Sequence, residues 1–415
     1  MEKTVWRWAG LLALPCACNA FAQSSVTLYG VVSGNVSYIT NAQTSGTSPG
    51  GGPVGHHQVA QFDGANSALG ASRFGLTGAE DLGGGLKAIF TLESGFSMNS
   101  GAIGQGGSFF GRQAWVGLAS ASAGQVTLGR QGDAMTDFTD PLTYAYNWGF
   151  FNAHPDDYDN VDYSRRINNS LKYMSPVWHG FRVGAVYGFG GVPGSMGANQ
   201  VWSIGGSYAM GALSTALAYV NGRNPNTSMF GNNPNASATG NNMGSFGSAT
   251  SPQSNPVIAG FASASTLDTI AAAATYKFGS VLVGGAYNHT RLLGLGSNAS
   301  LNPLHYSGDV AFDNFEGSLR VSVTPAFRVG VSYDFTRRGA VNGAMSSSSS
   351  AHYQQLNLGA DYNLSKSTDI YILSAMQKAS GTDSLGQAAV ASIAGITPSA
   401  TAYQMIVAVG MRHLF

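Results

Sequence analysis

Apolar and polar residues alternate one by one along much of this chain, and that period of two constrains the fold more than any other feature. Val26, Leu28, Val32, Val36 and Tyr38 fall on one face of an extended segment, while Thr27, Tyr29, Ser33, Asn35 and Ser37 fall on the other. Leu86, Ala88, Phe90, Leu92 and Phe96 oppose Lys87, Thr91 and Glu93, and Phe327, Val329, Val331, Tyr333 and Phe335 alternate with Arg328, Gly330, Ser332, Asp334 and Thr336. No segment after the first 22 residues approaches the roughly 18 uncharged apolar residues that a helical membrane span needs. A soluble sandwich also alternates, but its apolar faces must find a partner sheet. Here the polar face carries isolated charges and many small residues, which suits a hydrated interior.

The connections decide between these architectures. Short ones fall at 81–85, 121–124, 176–180, 210–211, 278–279, 324–325 and 364–367. Long ones fall at 40–70, 98–108, 132–166, 191–199, 223–266, 293–309, 339–350 and 381–400. Strict alternation of seven short with eight long connections implies sixteen strands. It predicts an all-β fold, a 16-stranded antiparallel transmembrane β-barrel with short turns at one rim and long loops at the other. Closure follows because an open sheet edge leaves unpaired backbone groups in lipid. Charged residues are only 10% of the chain, against about 25% in soluble domains, as a lipid-facing wall requires. The formal net charge of zero offers no basic excess for nucleic acid.

Residues 1–22 read as a secretory signal peptide, with Lys3 and Arg7 at the start, an apolar middle, and Ala20-Phe21-Ala22 before the cleavage point. Residues 23–415 then form a single barrel domain. Cys16 and Cys18 both leave with the signal, so the mature chain has no cysteine for a disulfide or a metal. The string through Gly50, Gly52 and Gly55 matches a dinucleotide glycine pattern, but no helix follows it. The loop 223–266 and the serines Ser346 to Ser350 are polar and expected to be mobile. None of the eight histidines, His56 and His57 included, has a metal-ligand spacing, and no cofactor is implied.

Several strings then become recognisable. Residues 23–30 (QSSVTLYG), 72–88 (SRFGLTGAEDLGGGLKA), 110–118 (FGRQAWVGL), 126–131 (VTLGRQ), 168–176 (NNSLKYMSP) and 409–415 (VGMRHLF) occur in this order. They resemble the trimeric general diffusion porins of Gram-negative outer membranes, most closely the beta-proteobacterial branch. The resemblance implies a homotrimer in outer-membrane lipid, each barrel a water-filled channel passing ions and small hydrophilic solutes passively. It also implies a third loop folded into the lumen as a constriction, and a contact between subunits through the first five strands.

The third long connection carries Asp133, Asp137, Asp140, Asp156, Asp157, Asp159 and Asp162 with no Lys or Arg between the first and last. On the family pattern some of these acids face a basic wall across the pore. Asp137 and Asp140 are the candidates on the loop. Arg73, Arg112 and Lys172 are the candidates on the wall: Arg73 and Lys172 point inward by phase, and Arg112 matches the family's constriction arginine in GRQAW. Arg130 shares phase with the outward Val126 and Leu128. A bare charge facing lipid is unfavourable by about 2–4 kcal/mol near the midplane, which suggests the trimer interface. The terminal Phe415 resembles the signal read by the outer-membrane assembly machinery. A barrel hydrolase needs a nucleophile and base held together, and none is evident; an adhesive surface protein would work through its loops and have a plugged lumen.

Overall fold

A computed structural model describes residues 24–47, 52–63, 69–245, 247, 250–343 and 347–415. The expected signal peptide, part of the glycine string and Ser346 lie outside the described residues. Sixteen strands form the wall: β1 (Ser25–Thr47), β2 (Arg73–Gly83), β3 (Leu86–Gly95), β4 (Gln113–Ser120), β5 (Gly124–Gln131), β6 (Ile167–Met174), β7 (Phe181–Gly188), β8 (Val201–Met210), β9 (Leu213–Arg223), β10 (Thr266–Phe278), β11 (Val281–Leu295), β12 (Gly308–Ser322), β13 (Phe327–Arg338), β14 (Ala351–Asn363), β15 (Thr368–Gly381) and β16 (Tyr403–Leu414). Each pairs antiparallel with its neighbour, and β1 closes the barrel on β16 through pairs such as Val36 with Val409. A further strand, Pro53–Asp63, returns from the first long loop and pairs with the upper part of β1.

The short rim is built from tight turns. Gly211 and Gly279 open two of them at φ +58°, a conformation that side chains with a Cβ rarely adopt. The wall is low from β2 to β7, with strands of eight to eleven residues, and tall from β10 to β15, with twelve to fifteen.

The two faces are inverted relative to a soluble protein. Val26, Leu28, Val36 and Tyr38 on β1 are exposed, whereas Ser33, Asn35 and Ser37 between them are buried. On β16 Tyr403, Val409 and Met411 face out, and Gln404, Ile406 and Ala408 face in. Only lipid makes an exposed apolar belt of this kind stable.

The polar loop 223–266 packs apolar side chains where it is described. It folds over the barrel mouth and buries Met229, Met243, Val257, Ile258 and Phe261. Asn226 and Asn242 cross-brace it, Asn242 Nδ2 donating to the Asn226 carbonyl at 2.9 Å. Its many amides replace the apolar area that an ordinary core would supply.

Candidate functional site: a basic gap beside an inward loop

The third long loop leaves β5 at Gln131, enters the barrel and lines its tall side. Asp133 holds its first turn, accepting from the Thr136 backbone N–H at 3.1 Å. Phe138 lies against the wall at Gly184 and Gly205, where a Cβ on either glycine would press into its ring. A short helix, α1 (Tyr144–Trp148), follows. Thr143 caps it, its side chain accepting from Tyr146 N–H, and the Glu316 carboxylate on β12 accepts from Tyr144 N–H at 2.7 Å. The rings of Tyr144 and Trp148 stack at 5.5 Å over Gly330 and Gly359, positions with room for indole only because they lack a Cβ. Further on, Gln355 Nε2 donates to the carbonyls of Phe151 and Ala153 at 3.2 Å, and Tyr158 stacks on Phe312 at 4.6 Å. The loop then crosses to the low wall, where Tyr163 donates its hydroxyl to the Arg112 carbonyl at 3.1 Å.

What this path leaves open is a cavity of about 320 Å3 between loop and low wall. Arg73, Arg112, Arg166 and Arg412 line it, with Tyr146, Phe150, Asp162 and Tyr163 on the loop side. Glu93 on β3 holds two of the arginines: Arg112 Nε donates to it at 2.6 Å, and Arg73 Nε lies 3.7 Å away. Tyr29 donates to the same carboxylate at 2.9 Å. Arg412 is paired with Asp369 at 2.7 Å, and the Arg166 guanidinium lies over the Tyr163 ring at 3.9 Å.

Of the expected site residues, Arg73 and Arg112 meet at this gap. Lys172 and Asp137 do not. They form a 2.7 Å ion pair that ties the loop to β6, away from the cavity lining. Asp140 is buried within the loop and is not among the residues that line this cavity. Burial, reinforced by Asp133, Asp157, Asp159 and Asp162, pushes its carboxyl well above the usual range. Burial likewise raises Asp137, in spite of Lys172. Only Asp162, of the seven aspartates, borders the gap.

Arg130 is only partly exposed and is not a bare charge. Its Nε donates to the Gly111 carbonyl at 2.8 Å, and its terminal nitrogens reach Asn168 and the Asn232 carbonyl. Residues of the loop 223–266 thus satisfy a charge that sequence phase alone leaves facing lipid. Phe415 closes the last strand, exchanging backbone hydrogen bonds with Gly30 at 2.9 and 3.1 Å.

Glu93, Arg166 and Arg412 belong to the site although sequence reasoning did not select them. Arg412 alternates with Met411 and Glu93 with Leu92, so phase places both in the lumen without marking its narrow part, and Arg166, at the end of a loop, has no phase to read.

A closed β-barrel with a loop folded inside it and an arginine-lined gap is the form of an outer-membrane diffusion channel. The family described as Gram-negative porin matches residues 9–382, and the chain belongs to that family. An outer membrane porin protein of Bordetella pertussis is 33% identical over 225 residues, covering 54% of this chain and 57% of that protein, so the chain matches somewhat over half of that relative's length. Outer membrane porin protein 32 of Delftia acidovorans is 28% identical over 417 residues, covering 98% of each. The solved anion-selective porin from Comamonas acidovorans shares the fold, with a TM-score of 0.67 at 22% identity over 95% of this chain and 100% of that one. The protein is therefore an outer-membrane porin, a channel for passive diffusion rather than an enzyme.

Proposed function

We propose that this porin prefers anions, sorting small hydrophilic solutes by size and by the fixed charge of the gap. One observation carries the reading: the guanidinium groups face the opening while their counter-charges sit behind them. The side chains of Arg73 and Arg412 are 28% and 22% exposed, and those of Glu93 and Asp369 only 5% and 3%. Passing ions meet the positive groups first, and screening over about 8 Å at physiological salt leaves that local field largely intact within a gap of this size. The anion-selective porin from Comamonas acidovorans, which shares the fold, agrees with this reading. The reversal potential of single channels in a potassium chloride gradient tests it. Its sign should report chloride as the more permeant ion; a cation-selective sign overturns the proposal.

We further infer a homotrimer, as the porin family implies, joined through the first five strands, β1–β5, with Arg130 at the contact. Arg130 would act there indirectly, by holding Asn168 and Asn232 in place. Arg130→Ala should lower the trimer dissociation temperature in detergent and leave monomer conductance unchanged. The exposed terminal Phe415 fits recognition by the outer-membrane assembly machinery, and Phe415→Ala should slow assembly in cells.

A further inference from the structure

Behind the loop, on the side away from the gap, three side chains from distant segments converge. They are His154 of the loop, Glu316 of β12 and Asp334 of β13, and the ligand atoms they offer lie within 4.8 Å of one another. All three are more than nine-tenths buried, at 1%, 6% and 2% exposure. Each uses one heteroatom in a hydrogen bond that orients it. His154 Nδ1 donates to Asp159 Oδ2 at 2.6 Å. Glu316 Oε1 accepts from Tyr144 N–H at 2.7 Å. Asp334 Oδ2 accepts from Asn357 Nδ2 at 2.8 Å and from Ser332 Oγ at 3.3 Å. The remaining atoms, His154 Nε2, Glu316 Oε2 and Asp334 Oδ1, have no hydrogen-bond partner.

We propose that these three atoms bind a divalent transition-metal ion of the zinc type, which clips the constriction loop to the barrel wall. An imidazole with two carboxylates is an ordinary ligand set for Zn2+, and bonds of about 2.0–2.1 Å in a tetrahedral site put ligands about 3.4 Å apart. His154 Nε2 and Asp334 Oδ1 are already 3.8 Å apart. The Asp159 contact fixes the imidazole with its Nε2 lone pair toward the site, the outer hydrogen bond that metal-binding histidines regularly make. Asn288 Nδ2 in turn donates to Asp159 Oδ2 at 2.7 Å. The charge balance also calls for a cation. Asp159, Glu316 and Asp334 surround one imidazole, and none of the three makes a direct ion pair with Lys or Arg among the described residues. No spacing in the sequence marks the site, because its ligands are about 160 and 180 residues from His154 along the chain and meet only through the fold.

The test is metal binding by the full mature porin in detergent, carried in a His56→Ala, His57→Ala background so that the adjacent pair in the first loop contributes nothing. Equilibrium dialysis against Zn2+ should find one ion per chain, and Co2+ in its place should give the visible absorption of a tetrahedral site. His154→Gln and Asp334→Asn should abolish stoichiometric binding. Asp159→Asn, which keeps all three ligands, should weaken it by roughly 10–100-fold. Chelation should increase the open-channel current noise of the metal-bearing protein and leave that of Glu316→Gln unchanged. Failure of the folded, conducting porin to take up Zn2+ would overturn the proposal and leave a shared proton as the occupant. Uptake that survives Asp334→Asn and Asp159→Asn would overturn it equally, by placing the ion elsewhere.

Discussion

The two faces of the inward loop are chemically opposite. Toward the wall it presents Asp137, Trp148 and Asp159, each buried or bonded; toward the gap it presents Tyr146, Phe150, Asp162 and Tyr163. Six of the seven aspartates thus serve to fasten or fold the loop, and one faces the opening. Acidity concentrated in a loop is therefore a poor guide to the field in the pore. The field comes from four arginines, three of them on the low wall or beside its strands; the acidic partners of Arg73, Arg112 and Arg412 lie behind them.

The largest effect should come from the fastened face. Trp148 is buried on Gly330 and Gly359, and truncating a buried indole typically costs about 3–5 kcal/mol. Trp148→Ala should lower the melting temperature of the folded porin in detergent and make the open-channel current noisy. A quiet channel of undiminished stability would mean that the stacked helix does not hold the loop.

The gap-facing partners come next. In Arg73→Gln, Arg112→Gln, two charges leave the opening and Glu93 loses both ion pairs. Since a charge a few ångströms away is worth about 1 kcal/mol in water, the chloride-to-potassium permeability ratio should fall by roughly ten-fold. An unchanged reversal potential would remove these arginines from the narrow part of the pore.

A matched pair of substitutions on the loop gives a smaller and sharper contrast. Burial, then Asp157, push the Asp162 carboxyl well above the usual range, so Asp162→Asn should raise anion preference by about two- to three-fold, given aqueous screening, only toward alkaline pH, where that carboxyl has ionised. Asp137→Asn strands Lys172, so it should destabilise the loop by about 1 kcal/mol and leave the reversal potential nearly where it was. If the two substitutions exchange these signatures, the division between the faces is wrong.

The wall was legible because a strand in lipid has only one permissible phase. Each alternating run reports which side faces out, and the turn lengths report the rim. Arg73 could therefore be placed inward from Phe74 and Leu76 alone. The loop had no such ruler. Asp137 and Asp140 look equivalent in sequence, but one meets Lys172 from another strand and the other is enclosed by its own loop. Arg130 shows the same limit: phase alone leaves it facing lipid, while one of its acceptors is the carbonyl of Asn232, about a hundred residues further along. Pairings between a loop and a distant strand depend on tertiary closure, and local pattern carries no record of them.

Asp140 offers the most delicate measurement on the fastened face, because its contribution changes with pH while its contacts stay the same. Its one side-chain donor is the Thr139 hydroxyl at 3.3 Å. Burial, then Asp133, Asp157, Asp159 and Asp162, keep the carboxyl protonated to a higher pH than in the unfolded chain, where an aspartate titrates near about 3.9. Between these two values the folded state holds a proton that the unfolded state has released, so the favourable term is complete below the unfolded value and is lost as pH rises through the folded one. Asp140→Asn keeps the shape and cannot ionise. Its melting temperature should therefore lie close to that of the wild type near pH 4 and pull progressively above it toward alkaline pH. Subtracting the two curves cancels the other carboxyl groups to first order. Parallel curves across that range would mean that Asp140 is already ionised in the folded porin.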